Sequence, residues 1–209
     1  MKSNYKFRVL VADDHYVVRM GLIAIINNEP DLEVVAETSN GSLAVELSAT
    51  LTPDLVLLDS RMPIKDGIQA AQEIRIQSPT THLLMLTAFD GDEDIARALK
   101  AGVEGYVLKN ATGDELVPAI RAVLGGKQWI PDEIKRKLDA RKTLEPLTPR
   151  ELRVLHELAK GLANKQIAEV LNITEHTTKS YLKNILAKLR VADRTEAVTI
   201  AIQRGLIRL

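Results

Sequence analysis

The chain has no cysteine, which excludes disulfides, thiol catalysis and cysteine-ligated zinc. No apolar run approaches the roughly 18 residues needed to span a bilayer. The N-terminus, MKSNYKFRVLVADDH, has neither a signal-peptide core nor a small-residue cleavage site. A soluble cytoplasmic protein with no membrane partner is the expectation. Net charge is also lacking, with 28 Lys and Arg against 28 Asp and Glu. What remains is ordinary globular usage, 45% hydrophobic and 27% charged over 209 residues. That length suits one large domain or two small ones.

The zero net charge hides an asymmetry. Residues 1–128 hold 12 Lys and Arg against 18 Asp and Glu, a net of −6, and residues 129–209 hold 16 against 10, a net of +6. An acidic half joined to a basic half suggests modules with different partners, the basic one suited to nucleic acid.

The first half alternates apolar strands with amphipathic helices. FRVLVA (7–12), LEVVAE (32–37), DLVLLD (54–59), HLLMLT (82–87) and GYVLK (105–109) read as strands, three of them nearly continuous apolar runs. Helical patterns run from Val17 to Ile26, Ser42 to Leu51, Gly67 to Gln77, Glu93 to Ala101 and Glu115 to Leu124. Asp90 with Glu93, and Thr112 with Glu115, have capping-box spacing. Five alternations predict an α/β doubly wound five-stranded parallel sheet with helices on both faces. After Gly125-Gly126 the pattern breaks, and DEIKRKLDARK (132–142) reads as a solvated linker holding at most a short helix. From 147 onward the chain is helical. Thr148-Pro149-Arg150-Glu151 is a capping box with proline at the first helical position. Gly161 closes that helix, Asn164 and Thr174 are candidate caps, and Asp193 with Glu196 opens the last. The division is therefore 1–126, a linker at 127–146, and an all-α four-helix domain at 147–209.

In open parallel sheets, ligands sit beyond the carboxyl ends of the strands. There the sequence places Asp13 and Asp14 after the first strand, Asp59 at the end of the third, Thr87 at the end of the fourth and Lys109 at the end of the fifth. Three crowded carboxylates repel unless a cation is present. A magnesium ion resolves that conflict with hard oxygen ligands. Lys109 can pair with a carboxylate or phosphoryl oxygens, and Thr87 can donate a hydrogen bond to them. An aspartate nucleophile, a metal, a lysine and a hydroxyl are the parts for phosphoryl transfer to a carboxylate. Each residue alone has a duller reading, as a cap, a strand former or a solvated charge; their conjunction at four strand ends favours chemistry.

VADDH, LLDSRMP, LTA and GYVLK resemble the receiver-domain motifs of bacterial response regulators, over roughly residues 6–126. The resemblance implies a flavodoxin-like receiver with Asp59 as the phospho-acceptor. It also implies magnesium held by Asp13, Asp14, Asp59 and the backbone carbonyl of Arg61, and phosphoryl contacts from Thr87 and Lys109. Tyr106 matches the switch aromatic, and Pro63 and Gly67 match the loop after the acceptor. Asn110 stands where many receivers have proline.

The C-terminal segment shows apolar positions at helical spacing, with its second and third helices joined by a tight turn around Asn172 and Ile173, a helix-turn-helix layout. The opposite face of the third helix carries Thr177, Lys179, Ser180, Lys183, Asn184 and Lys188, a basic surface suited to a major groove. LTPRELRVLHELAKGLANKQIAEVLNITEHTTKSYLKNILAKL with RVADRTEAV closely resembles the LuxR-type helix-turn-helix. Together the two halves resemble a response regulator of the NarL/FixJ type. By that resemblance Lys179, Ser180 and Lys183 approach bases, while Thr174, Thr177, Lys165, Asn184 and Lys188 mostly hold phosphates. Thr178 replaces the usual valine and Tyr181 a frequent histidine.

The expectation is a transcription regulator, not an enzyme. A sensor histidine kinase phosphorylates Asp59, the face near the fourth helix and fifth strand is remodelled, and a homodimer reads two half-sites of promoter DNA. A haloacid-dehalogenase-type phosphatase also uses an aspartate nucleophile, but needs an acid two positions later, where Arg61 stands. A receiver acting only as a dimerisation module is opposed by the acidic pair. Sensing of a diffusible signal lacks a sensor domain.

Overall fold

A computed structural model describes residues 5–88 and 91–207. Contacts divide it into two compact units, Met1–Phe89 with Ala96–Lys135, and Asp90–Ile95 with Arg136–Leu209. No helix among the described residues is long and apolar enough to cross a membrane.

The first unit is a five-stranded parallel sheet: β1 (Phe7–Ala12), β2 (Leu32–Thr38), β3 (Leu55–Asp59), β4 (His82–Thr87) and β5 (Gly105–Leu108), in the order β2-β1-β3-β4-β5. The apolar runs dictate burial on both faces, since alternate side chains of a strand point opposite ways. Val9, Val11, Leu55, Leu57, Leu84, Leu86 and Val107 form one core with Ile26 of α1 (Tyr16–Asn27) and Leu116, Ile120 and Val123 of α5 (Gly113–Leu124). The intervening Leu10, Val56, Leu58, Leu83, Met85 and Tyr106 are equally buried. On their side α2 (Gly41–Leu51) packs against α3 (Gly67–Gln77). From β1 the chain moves outward to β2, then returns past β1 to β3. That reversal opens a crevice between the carboxyl ends of β1 and β3.

Local capping signals explain some of these helix starts, though not all those expected. Asp66 and Gln69 form a reciprocal box at α3, and the Asn40 side-chain Oδ1 accepts from the Leu43 amide at α2. Thr112 does stand at the N-cap of α5, but its side chain makes no capping bond. The Asp90 cap lies outside the described residues. The fourth helix, α4, spans Asp92–Lys100 with three acids in its first turn, where they complement the helix dipole.

Two features differ from the expected linker. Trp129 bridges to Gly105 along the open edge of β5, with the Tyr106 amide donating to the Trp129 carbonyl at 2.8 Å. The charged stretch is a full helix, α6 (Asp132–Lys142), with Ile134 entirely buried. One buried apolar side chain anchors a helix whose composition alone read as solvated.

The second unit contains α7 (Pro149–Ala159), α8 (Asn164–Leu171), α9 (Glu175–Leu189) and α10 (Arg194–Gln203). Val154, Leu155, Leu158, Ile167, Ile185, Leu189, Ala197 and Ala201 form its core. The Thr148–Glu151 box, the Thr174 cap and Asp193 at the last helix all form, and Gly161 adopts the left-handed φ of +84° beyond α7. Asn164 is not the cap of α8. It is the first helical residue, Ala163 precedes it, and the Gln166 side chain accepts from the Ala163 amide at 2.8 Å.

Candidate phosphoryl-acceptor site and nucleic-acid interface

The crevice gathers the expected residues from four strands. Asp13 and Asp59 are almost fully buried, and Asp14 is exposed beside them. The Lys109 ammonium, just past β5, lies 2.7 Å from Asp59 Oδ2 and 2.9 Å from Asp13 Oδ2. Its backbone amide donates to the Thr87 carbonyl at 2.8 Å, which ties the end of β5 to that of β4. The Arg61 amide donates to Asp59 Oδ1 at 3.2 Å. Gly67 matters for steric reasons. A Cβ there would lie 2.0 Å from the Asp59 carbonyl oxygen, so the acceptor strand and the start of α3 approach only because that atom is missing.

Electrostatics set the character of this pocket. Burial pushes the Asp59 carboxyl up to about 6 from an ordinary 3.8, although Lys109 and the Arg61 amide pull the other way. Burial opposes the Lys109 charge, but Asp59 and Asp13 outweigh it and hold the ammonium above its usual range. Asp13, Asp14, His15 and Asp59 can each present a ligand atom with all four atoms within 4.8 Å of one another. Such a donor set fits a divalent cation. Thr87 Oγ1 is buried without a hydrogen-bond partner among the described residues. A buried hydroxyl without a partner at a strand end can donate to an oxygen that enters beside it. Tyr106 is wholly buried.

His15 is a neighbour that sequence reasoning missed. Its Nδ1 lies 2.6 Å from Asp14 Oδ1 and 3.3 Å from Lys109 Nζ. The signal was present, because the residue adjoins the acidic pair.

In the second unit α8, the Asn172–Ile173 turn and α9 form the helix-turn-helix. Asn172 takes a left-handed φ of 53°, a conformation asparagine tolerates, and this sharpens the turn. Lys165, Lys179, Ser180, Lys183 and Asn184 are exposed, and Thr174 and Thr177 hydrogen-bond each other at the start of α9. Lys179 pairs with Glu175 at 2.8 Å on the open surface, a contact readily exchanged for another anion. The buried Thr178 hydroxyl donates to the Thr174 carbonyl at 3.2 Å, so the polar atom in the core is satisfied. Lys188 is placed differently from the other cations. Its ammonium sits 2.9 Å from the buried Glu151 carboxylate, 3.2 Å from Glu145 and 3.3 Å from the Pro146 carbonyl. Its charge is already matched inside the domain.

A parallel sheet with this acidic crevice, followed by a helix-turn-helix, defines a two-component response regulator that binds DNA. Comparison with known proteins agrees. Residues 9–121 match the response regulator receiver domain, and residues 145–201 match the luxR family of bacterial regulatory proteins. Response regulator protein VraR of Staphylococcus aureus is 38% identical over 205 residues, 96% of this chain and 98% of that protein. The crystal structure of response regulator ChrA from a heme-sensing two-component system is 38% identical, with 97% of this chain and 99% of that one covered and a TM-score of 0.58. RcsB from Salmonella enterica serovar Typhimurium, bound to a promoter in the presence of phosphomimetic BeF3−, is 26% identical, with coverage of 93% and 97% and a TM-score of 0.74. The chain belongs to the NarL/LuxR family of response regulators, and regulates transcription by binding promoter DNA through its C-terminal helix-turn-helix.

Proposed function

We propose that Asp59 is the phospho-acceptor and that its phosphorylation by a sensor histidine kinase controls promoter binding. The observation that carries this reading is the Lys109 ammonium held within 3 Å of both Asp59 and Asp13, with the Thr87 hydroxyl at the end of β4 unpaired among the described residues. An Asp59 oxygen attacks the phosphorus of a phosphohistidine. The O–P bond forms as the P–N bond breaks, and the imidazole leaves. Asp13, Asp14, Asp59 and the Arg61 carbonyl would hold a magnesium ion, which would supply neutralising charge for the phosphoryl oxygens. Lys109 turns from the carboxylates to those oxygens, and Thr87 donates its hydroxyl to them. Arg61 occupies the position where an aspartate-based phosphatase needs its general acid, which disfavours turnover.

The acyl phosphate adds about −1.5 to −2 of charge, enough to bias a bistable element. Tyr106, the switch aromatic, follows Thr87 and remodels the face near α4 and β5. A phosphorylated homodimer then reads two half-sites in the cytoplasm, with Lys179, Ser180 and Lys183 at bases and Thr174, Thr177, Lys165 and Asn184 on phosphates. A related structure shows two RcsB dimers bound to two parallel DNAs. The working division is a receiver at 1–126, a linker at 127–146 and the DNA-binding domain at 147–209. Asp59→Asn tests the core of the reading: radiolabelled acetyl phosphate should no longer label the protein. Labelling equal to the parent's would reject Asp59 as the acceptor.

A further inference from the structure

We infer that Arg150 and Arg153 of α7 form a second, sequence-independent grip on the DNA backbone, beside the recognition helix and outside it. Three observations converge on this. First, Arg150 and Arg153 are exposed at i and i+3 on one helix face, and neither has an ion-pair or hydrogen-bond partner among the described residues. Second, their side chains line one small notch with Val154, with Leu171 and Ile173 at the α8–α9 turn, and with Tyr181 of α9. The notch therefore joins α7 to the helix-turn-helix itself. Third, Tyr181 stands four residues after Thr177 and three before Asn184, on the same side of α9 as those two phosphate-contact candidates. The next member of that stripe is Lys188, whose ammonium is paired with Glu151 and Glu145. The flank of α9 thus has its own cation neutralised from within, while two unpaired guanidiniums stand at the notch beside it. Guanidinium geometry suits bidentate contact with phosphate oxygens. Tyr181 is half-buried against the core and lines the notch. No base edge is needed for this contact, so it raises affinity on every sequence alike.

The inference rests on DNA binding by the helix-turn-helix, and the test separates the two. The full-length protein is titrated against a fluorescent duplex of random sequence across a series of potassium chloride concentrations. Each neutralised phosphate contributes about 0.9 to the slope of log affinity against log salt. Arg150→Gln with Arg153→Gln should flatten the slope by about 1.8 and weaken binding equally on an unrelated duplex. Arg150→Lys with Arg153→Lys should keep most of the slope, since the charge is retained. Thermal unfolding of both should match the parent, because neither residue has a partner to lose. Lys183→Gln should flatten the slope by about 0.9 as a marker of the recognition helix. A parental slope in the double glutamine variant, with Lys183→Gln still effective, would overturn the arginine grip and leave the DNA reading intact. No binding by the folded parent would overturn both.

Discussion

The acidic crevice and the basic helix face are both clusters of charge, but they are built in opposite ways. Asp13, Asp59, Thr87 and Lys109 come from four strand ends, up to 96 positions apart in sequence, and meet in a place nearly closed to water. The α9 face is local, its members three or four residues apart on one helix and open to solvent. Burial makes the first site electrostatically expensive when empty, so it responds strongly to a cation or phosphoryl group. Exposure makes the second nearly free of folding cost, so its charges act on a partner and hardly on stability. Lys188 crosses the divide: it sits on the local helix but is used as a buried tertiary pair.

That contrast can be broken in several ways. The largest stability effect is expected at Lys188→Ala, which leaves the Glu151 carboxylate buried beside its cap. A loss of stability in denaturant unfolding is expected, with an unchanged salt slope of DNA binding. A flattened slope without destabilisation would return Lys188 to the DNA face. The brace also has a pH window. The folded state lowers the Glu151 carboxyl and raises the Lys188 ammonium, so its contribution is present between about 4.5 and 10.5 and is lost outward on either side.

Asp59→Asn should do the reverse of Lys188→Ala and stabilise the metal-free protein, by on the order of 1 kcal/mol at pH 7 to 8. The sign follows from the raised carboxyl. Between 3.8 and about 6 the folded protein keeps a proton that the unfolded chain has released. Stability of the parent in chelator therefore falls as pH rises through that window, and the asparagine variant should lack the slope. Urea midpoints from pH 4 to 8, with and without magnesium, measure this. A destabilised variant above pH 7 would show that the Lys109 pairing outweighs burial.

Thr178→Val should have the smallest effect, under about 1 kcal/mol in either direction, because the hydroxyl it removes is paired with its own helix. A gain well beyond that would mean the threonine is a real defect in the α9 core, not a neutral substitution.

Much of the fold was legible because its signals are local. Apolar runs marked all five strands to within a residue or two, and Thr148-Pro149-Arg150-Glu151 marked the start of α7 with its box intact. Asn164 and Thr112 misled for one reason: a capping residue type reports what a side chain can do, and whether it does so depends on where the preceding chain arrives. The cap of α8 fell to Gln166 reaching back, and Asn164 Oδ1 is buried without a partner among the described residues. The helix at 132–142 was hidden because its composition is polar and its single buried anchor, Ile134, carries no periodicity. Lys188 looked like one more surface lysine because Glu151 lies 37 residues away.

The sequence by itself determined the elements that form outside 132–142, which half carries the acids and which the bases, and which side chains stand at the strand ends. Hydrophobic period, backbone preference and residue type act over a few residues and need no long-range information. Only the tertiary structure decided that Lys109 touches both Asp13 and Asp59, that the Thr87 hydroxyl has no partner among the described residues, and that one lysine of α9 is held within the domain while two arginines of α7 are not. Those outcomes depend on distance and on exclusion of water, and neither exists until the chain has closed on itself.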